Sequence, residues 1–177
     1  MPRLLPADLV LATVLALTAA HPLRGEVVDA SPDAFTVHAS VTIAKEPARV
    51  YETLTRDIGR WWDSSHTYSG SATNLTLQAT PGGCFCERLP QGGVEHMTVI
   101  YAEPGTQLRM RGGLGPLQAL PVTGVWTLTL TDAGGRTTVE STYSVSGHSK
   151  PGLDELAPLV DRVMSEQLAH LKQFAER

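Results

Sequence analysis

The chain has 177 residues, of which 42% are apolar and 18% charged, and its formal net charge is −4. These values exclude a polytopic membrane protein and a largely disordered chain. A nucleic-acid-binding face requires a surplus of basic residues, so we expect no nucleic-acid partner. Two cysteines are too few for a disulfide framework or a four-thiolate zinc site, and we predict neither a metal nor a cofactor. The length favours a single domain.

The first twenty residues differ in character from the rest of the chain. Residues 9–20 are apolar apart from two threonines, follow a single basic residue and precede a proline. This run would span only about 18 Å as a helix, whereas a hydrocarbon core measures about 30 Å. The pattern is typical of a secretory signal peptide, and the alternative is a buried helix of the mature domain. We therefore predict a signal peptide over residues 1–20, a flexible leader over 21–34, and an exported protein, periplasmic or secreted, without stable membrane insertion.

The body of the chain begins with alternation of apolar and polar residues over 35–43, which predicts a strand. Two short helices are predicted over 48–54 and 58–62. Six further strands are then predicted over 74–80, 84–89, 94–102, 106–111, 122–131 and 136–146. Glycine- and proline-rich turns separate them at short intervals, which indicates antiparallel hairpins rather than βαβ units.

The last element is the clearest, because apolar residues recur at steps of three and four from Leu153 to Phe174. This spacing predicts a helix of about 24 residues with one apolar stripe. The fold class is therefore α+β. We expect a curved antiparallel sheet of about seven strands, two short helices, and a long C-terminal helix packed across the sheet. Residues 35–177 form this single domain, and a cavity can remain between helix and sheet.

Several segments in this order resemble the START-related helix-grip superfamily, in its branch of polyketide cyclases and activators of the heat-shock protein 90 ATPase. The matching segments are IAKEPARVY at 43–51 with Leu54, IGRWW at 58–62, YSG at 68–70, PGGCFCE at 81–87, and the helix from Leu153. The resemblance covers about residues 36–175 and implies the helix-grip fold. Members of the superfamily bind lipids, sterols or polyketides, some catalyse cyclisation or hydration, and one branch contacts a chaperone.

The resemblance implies three functions for this chain. The first is the binding of a small, largely hydrophobic molecule, lipid- or polyketide-like, between the sheet and the C-terminal helix. The second is a cyclase- or hydratase-type enzyme using Glu87 with His96, and the third is a protein-interaction domain. Because we find no catalytic pattern of a known cyclase, we expect a binding protein rather than an enzyme.

Glu87 is the most informative single position. It has the same strand parity as Phe85 and Leu89, so it points inward if they do. A buried carboxylate must be hydrogen-bonded or paired. It would then orient a ligand head group or act as an acid or base. The alternative is a structural carboxylate satisfied by Arg109, Arg111 or a tyrosine hydroxyl.

His96 lies on a predicted strand whose two faces are about equally apolar, so its orientation stays open. It would form an acid–base pair with Glu87 across the hairpin or act as a structural residue. His66 follows the paired tryptophans and is placed at the cavity mouth. The predicted ligand-binding residues are Trp62, His66, Phe85, Glu87, His96, Leu114, Leu117, Trp126 and Tyr143.

Two further segments have alternative interpretations. Residues 112–121 form an apolar loop, which is either the lip of the cavity or an ordinary hairpin connection. Cys84 and Cys86 would lie about 6.6 Å apart along one face of a regular strand, which disfavours a disulfide. A bulge at residues 82–83 would change that geometry, so the redox state of the two thiols stays open.

Overall fold

The structure is a computed structural model that describes residues 24–177. The predicted signal peptide lies outside the described residues. The strands are β1 (Arg24–Ser31), β2 (Ala34–Ile43), β3 (Leu75–Leu77), β4 (Cys84–Arg88), β5 (Gly93–Glu103), β6 (Gln107–Gly112), β7 (Val122–Asp132) and β8 (Thr137–Gly147). The α-helices are α1 (Pro47–Arg56), α2 (Ile58–Trp61) and α3 (Leu153–Ala175). No helix within 24–177 is long and apolar enough to cross a membrane.

The eight strands of residues 24–177 form one antiparallel sheet in the order β1-β2-β8-β7-β6-β5-β4-β3. Helix α3 packs across the β1, β2 and β8 side of this sheet, and α1 and α2 lie against α3 and β3. The predicted α+β helix-grip architecture is confirmed. In the described part of the chain the sheet has eight strands rather than about seven, because β1 adds one strand beyond β2.

Strand β1 occupies most of the segment that the sequence predicted to be a flexible leader, so that prediction is wrong from Arg24 to Ser31. These residues pair antiparallel with β2, from Arg24 opposite Ser40 to Ser31 opposite Ala34. Gly25 lets β1 approach α3, since a side chain there would collide with the hydroxyl of Ser165. Residues 25–31 of this strand are exposed and do not show the alternation of buried apolar and polar residues that β2 shows, which is typical of an edge strand.

Strand β5 contains a β-bulge that decides the orientation of His96. Phe85 pairs with Met97 but Cys86 pairs with Glu95, so His96 is an extra residue in β5. The bulge turns two consecutive side chains inward, and both His96 and Met97 are buried. On the next strand Gly112 has φ +157°, and a Cβ there would collide with the carbonyl oxygen of His96. A glycine is therefore required beside the bulge.

Cys84 and Cys86 form a disulfide within β4. Their Cα atoms are 5.3 Å apart, which is less than the spacing of about 6.6 Å in a regular strand. The expectation from regular geometry is wrong because β4 contracts here, opposite the bulge in β5. The bulge is at His96 of β5, opposite residues 85–86, rather than at residues 82–83. The disulfide faces away from the core, since Phe85 between the two cysteines points inward.

Replacing both cysteines with serine is expected to lower the free energy of unfolding by about 1.5 kcal/mol, because a bridge that closes so short a loop removes little entropy from the unfolded chain. Denaturant titration with and without dithiothreitol measures the effect. The reductant should destabilise the wild type by the same amount and leave the double variant unchanged. An unchanged wild type would contradict the prediction.

Candidate ligand-binding cavity

A cavity of about 440 Å³ lies between α3 and the part of the sheet formed by β3, β4 and β5. Its lining is mainly apolar and aromatic. The lining residues are Trp62, Ser65, His66, Thr67, Tyr68, Leu75, Phe85, His96, Leu114, Gly115, Pro116, Leu117, Leu156, Leu159, Val160, Val163 and Met164. None of these described lining residues is Lys, Arg, Asp or Glu, so two histidines are its only titratable groups apart from one tyrosine.

Helix α3 forms one wall of the cavity with a regular stripe of side chains. The stripe consists of Leu156, Leu159, Val160, Val163 and Met164. These positions follow the pattern i, i+3, i+4, i+7, i+8 and therefore share one helix face. Leu159 is 56% exposed whereas Met164 is 4% exposed. The stripe therefore runs from the solvent-facing mouth of the cavity to its buried end.

A strap formed by residues 62–70 crosses the mouth and is fixed at both ends. At the first end, the amide of Asp63 donates a hydrogen bond to Oε1 of Gln167 on α3 at 2.9 Å. At the second, the hydroxyl of Tyr68 donates to the carbonyl oxygen of Gly115 at 2.9 Å. The strap thus connects α3 to the 112–121 loop over the cavity.

Glu87 on β4 is 1% exposed and holds this strap against the sheet. Its carboxylate accepts hydrogen bonds from the amides of Tyr68, at 3.0 Å, and of Ser69. It also accepts one from Nε2 of His96 at 3.0 Å. Burial raises the pKa of Glu87, but the hydrogen bonds from Ser69, Tyr68 and His96 outweigh burial and hold the pKa below its usual value. Glu87 is therefore an ionised carboxylate that accepts three hydrogen bonds from the protein, and it does not line the cavity.

His96 connects Glu87 to the cavity wall. Its ring lies between those of Phe85 and Tyr68, with centroid distances of 5.1 and 5.9 Å. Burial lowers the pKa of His96, although the hydrogen bond and charge of Glu87 act in the opposite direction. The imidazole is thus neutral near pH 7, with its proton on Nε2, because ionised Glu87 can only accept. Nδ1 has no hydrogen-bond partner among residues 24–177.

Comparisons with known proteins agree with this architecture. A family model described as polyketide cyclase/dehydrase and lipid transport matches residues 34–176. The chain belongs to this family. No curated protein matches it.

Three solved structures of other proteins show the same fold as this chain. A protein from Rhizobium leguminosarum has a TM-score of 0.59 and 20% identity, over 89% of this chain and 99% of that chain. CalU16 from Micromonospora echinospora has a TM-score of 0.56 and 12% identity, over 87% and 85%. DynU16, from the dynemicin biosynthetic locus, has a TM-score of 0.56 and 20% identity, over 80% and 47%. At these identities the likeness supports the fold alone.

Six of the nine residues predicted to bind the ligand line the cavity. They are Trp62, His66, Phe85, His96, Leu114 and Leu117. Glu87, Trp126 and Tyr143 do not line it. Trp126 is buried behind the wall, with its ring 6.1 Å from that of Trp62, and its indole N–H donates to Ser141. Tyr143 lies under the 112–121 loop, where its hydroxyl accepts from the amide of Leu114 at 3.2 Å. Burial raises the pKa of Tyr143 to about 12.

The 112–121 loop lies over the cavity, as the lip hypothesis expected. It contains a 3-10 turn at Gly115–Ala119, and Leu117 is 2% exposed. Leu114 and Leu117 face the cavity, and Leu120 packs against the core. Leu117 is also part of the core, so polar substitutions at this position would destabilise the fold as well as the cavity.

The partners of Glu87 differ from those expected. Arg109 instead donates to the hydroxyl of Thr127 and lies over the ring of Tyr101, while Arg111 is exposed. The hydrogen bonds expected from these arginines come instead from the backbone amides of Tyr68 and Ser69 in the strap. The sequence also gave no indication that Tyr68 closes the mouth, although its YSG segment belongs to the resemblance. Among residues 24–177 no three His, Cys, Asp or Glu side chains gather to bind a metal.

Proposed function

We propose that this protein binds a small, largely hydrophobic molecule, lipid- or polyketide-like, in the cavity between the sheet and α3. The observation that carries the proposal is an apolar cavity of about 440 Å³ with few polar groups. Ligand sites typically measure about 300–1,000 Å³ and have this kind of lining. The family description, which includes lipid transport and polyketide cyclases, supports the same class of ligand.

An enzyme of the cyclase or hydratase type is the second candidate. It would require Glu87 and His96 to reach one ligand atom together. Of these two residues only His96 lines the cavity, and both carboxylate oxygens of Glu87 already accept hydrogen bonds from the strap or from His96. This arrangement favours a binding protein. A protein-interaction domain is disfavoured because it would not need an internal cavity.

We also propose that the protein is exported, with cleavage of the signal peptide between Ala20 and His21. Two observations support export. The first is the signal-peptide pattern of residues 1–20. The second is the disulfide between Cys84 and Cys86, a bond that persists mainly in oxidising compartments. Cleavage behind Ala20 would leave β1 intact, since that strand begins at Arg24.

Native mass spectrometry of the protein, produced with its own N-terminal segment, tests both proposals. We expect a chain that begins at His21 and carries one apolar molecule, which denaturing extraction then releases for identification. If the protein is isolated empty, it should take up one equivalent of the neutral dye N-phenyl-1-naphthylamine. An empty protein that takes up no dye would overturn ligand binding, and an uncleaved chain would overturn export.

A further inference from the structure

Among residues 24–177, the cavity wall has no ammonium, guanidinium or carboxylate group that would neutralise a charged ligand. Its described lining contains no Lys, Arg, Asp or Glu. Transfer of a carboxylate or ammonium into such a site removes its hydration without replacing it by a counter-ion. At the mouth, Nε2 of His66 is 3.6 Å from the carboxylate of Glu166, a negative charge that repels an anionic ligand. The wall therefore selects uncharged molecules.

The hydrogen-bond chemistry of His96 is fixed by Glu87. The amides of Tyr68 and Ser69 can only donate, so the carboxylate they bind is an acceptor. Nε2 of His96 completes this set as a third donor, which places the imidazole proton on Nε2. Nδ1 of the neutral ring is therefore a lone-pair acceptor.

Within residues 24–177 this acceptor has no hydrogen-bond partner. His96 is 4% exposed, and Nδ1 is closed to solvent without a partner among the described residues. An unsatisfied buried acceptor costs free energy that a hydrogen bond recovers. Because His96 is part of the cavity wall, a molecule in the cavity can supply the missing donor.

The residues on either side of the imidazole indicate how a ligand reaches it. Phe85 is 1% exposed and is fixed in the core, with its ring 5.5 Å from that of Trp62. Tyr68 is 49% exposed and belongs to the strap at the mouth. A small displacement of the Tyr68 ring is the less costly way to open Nδ1.

We propose that the ligand is an uncharged apolar molecule with one hydroxyl or N–H group, which donates a hydrogen bond to Nδ1 of His96. This inference rests on the proposed function and adds the chemical class of the ligand to it. Glu87 acts through His96 in this arrangement, as the residue that holds the imidazole in the accepting tautomer.

Three naphthalene probes of similar size test the proposal on the wild-type protein, with quenching of tryptophan fluorescence as the signal. They are 2-naphthol, which has a donor; 2-methoxynaphthalene, which has none; and 2-naphthoate, which is an anion. We expect 2-naphthol to bind about tenfold more tightly than 2-methoxynaphthalene, the value of one hydrogen bond to a buried acceptor. We expect 2-naphthoate to bind at least tenfold more weakly than 2-naphthol.

The variant His96→Gln keeps an N–H group that can donate to Glu87 and removes the ring acceptor. The preference for 2-naphthol over 2-methoxynaphthalene should fall to within twofold in this variant. His38→Gln, at a histidine of β2 that does not line the cavity, should leave the preference unchanged.

The outcomes separate this inference from the proposed function. Equal binding of 2-naphthol and 2-methoxynaphthalene to the wild type would overturn the role of His96 and leave the hydrophobic cavity standing. Tight binding of 2-naphthoate would overturn the uncharged class. Failure of all three probes to bind would overturn the proposed function and the inference together. These wild-type outcomes are decisive even if His96→Gln does not fold.

Discussion

Replacing Glu87 with glutamine is expected to lower the free energy of unfolding by about 3 kcal/mol, because the side-chain amide places its own N–H₂ among three donors. At least one buried donor then lacks an acceptor. For a domain of this size the loss corresponds to a fall of about 6–12 °C in melting temperature. Thermal unfolding followed by circular dichroism measures it. Glu140→Gln, at an exposed position of β8, is the matched control and should change the melting temperature by less than about 2 °C.

The effect of Glu87→Gln on stability should also depend on pH. The pKa of Glu87 is lowered in the folded protein, so its contribution is present above the usual value of 4.5 and is lost as the pH falls through the folded pKa. The pKa of His96 is also lowered, and its contribution decreases as the pH falls below 6.5. The difference in free energy of unfolding between the wild type and Glu87→Gln should therefore become smaller below pH 4.5. A difference that stays constant on further acidification would contradict a lowered pKa for Glu87.

Replacing Val160 with tryptophan is expected to weaken binding of N-phenyl-1-naphthylamine at least tenfold. Val160 lies within the α3 stripe of the cavity wall, so a larger ring there occupies the space of the ligand. A ligand that loses about 60 Å² of apolar contact loses about 1.5 kcal/mol, or a factor of ten in affinity. Titration of the dye, followed by its fluorescence, gives the dissociation constant.

Arg162→Trp is the matched control for this substitution. Arg162 lies on the same helix but is exposed and does not line the cavity. Its replacement should change dye affinity by less than twofold. If both tryptophan variants bind the dye as the wild type does, the dye occupies another place and the proposed site is wrong.

The inward orientation of Glu87 could be predicted from the sequence, but its partners could not. Strand parity with Phe85 requires only the local alternation of β4, and both side chains are buried. The amides that bind the carboxylate belong to Tyr68 and Ser69, which are 19 and 18 positions away in an irregular segment. The conformation of such a segment depends on tertiary contacts, so no local pattern predicts it.

The orientation of His96 could not be predicted for a different reason. Alternation assumes that each residue of a strand faces one partner, and a bulge breaks that assumption at a single position. Here the bulge turns His96 and Met97 to the same side. Because the bulge shifts the alternation by one residue within β5, the apolar residues of this strand are divided almost equally between the two faces that the sequence pattern assigns.

The α3 stripe shows the limit of periodicity as a functional signal. The helix and its apolar face were predicted almost to the residue, since α3 extends from Leu153 to Ala175. Leu153, Leu168 and Leu171 are buried in the core, whereas Val160 and Val163 line the cavity. Both environments select apolar side chains, so the sequence could not separate the residues that fill the interior from those that surround a space.

The position of β2 has a consequence for how the chain folds. One neighbour of β2, the strand β1, immediately precedes it, but the other neighbour is β8 near the opposite end of the domain. Thr36 and Ser144, which share a hydrogen bond across that pairing, are 108 positions apart. Contacts between such distant residues form late and slow the folding reaction. During synthesis the apolar face of β2 therefore stays uncovered until β8 and α3 have emerged, and association with other chains competes with folding throughout that interval.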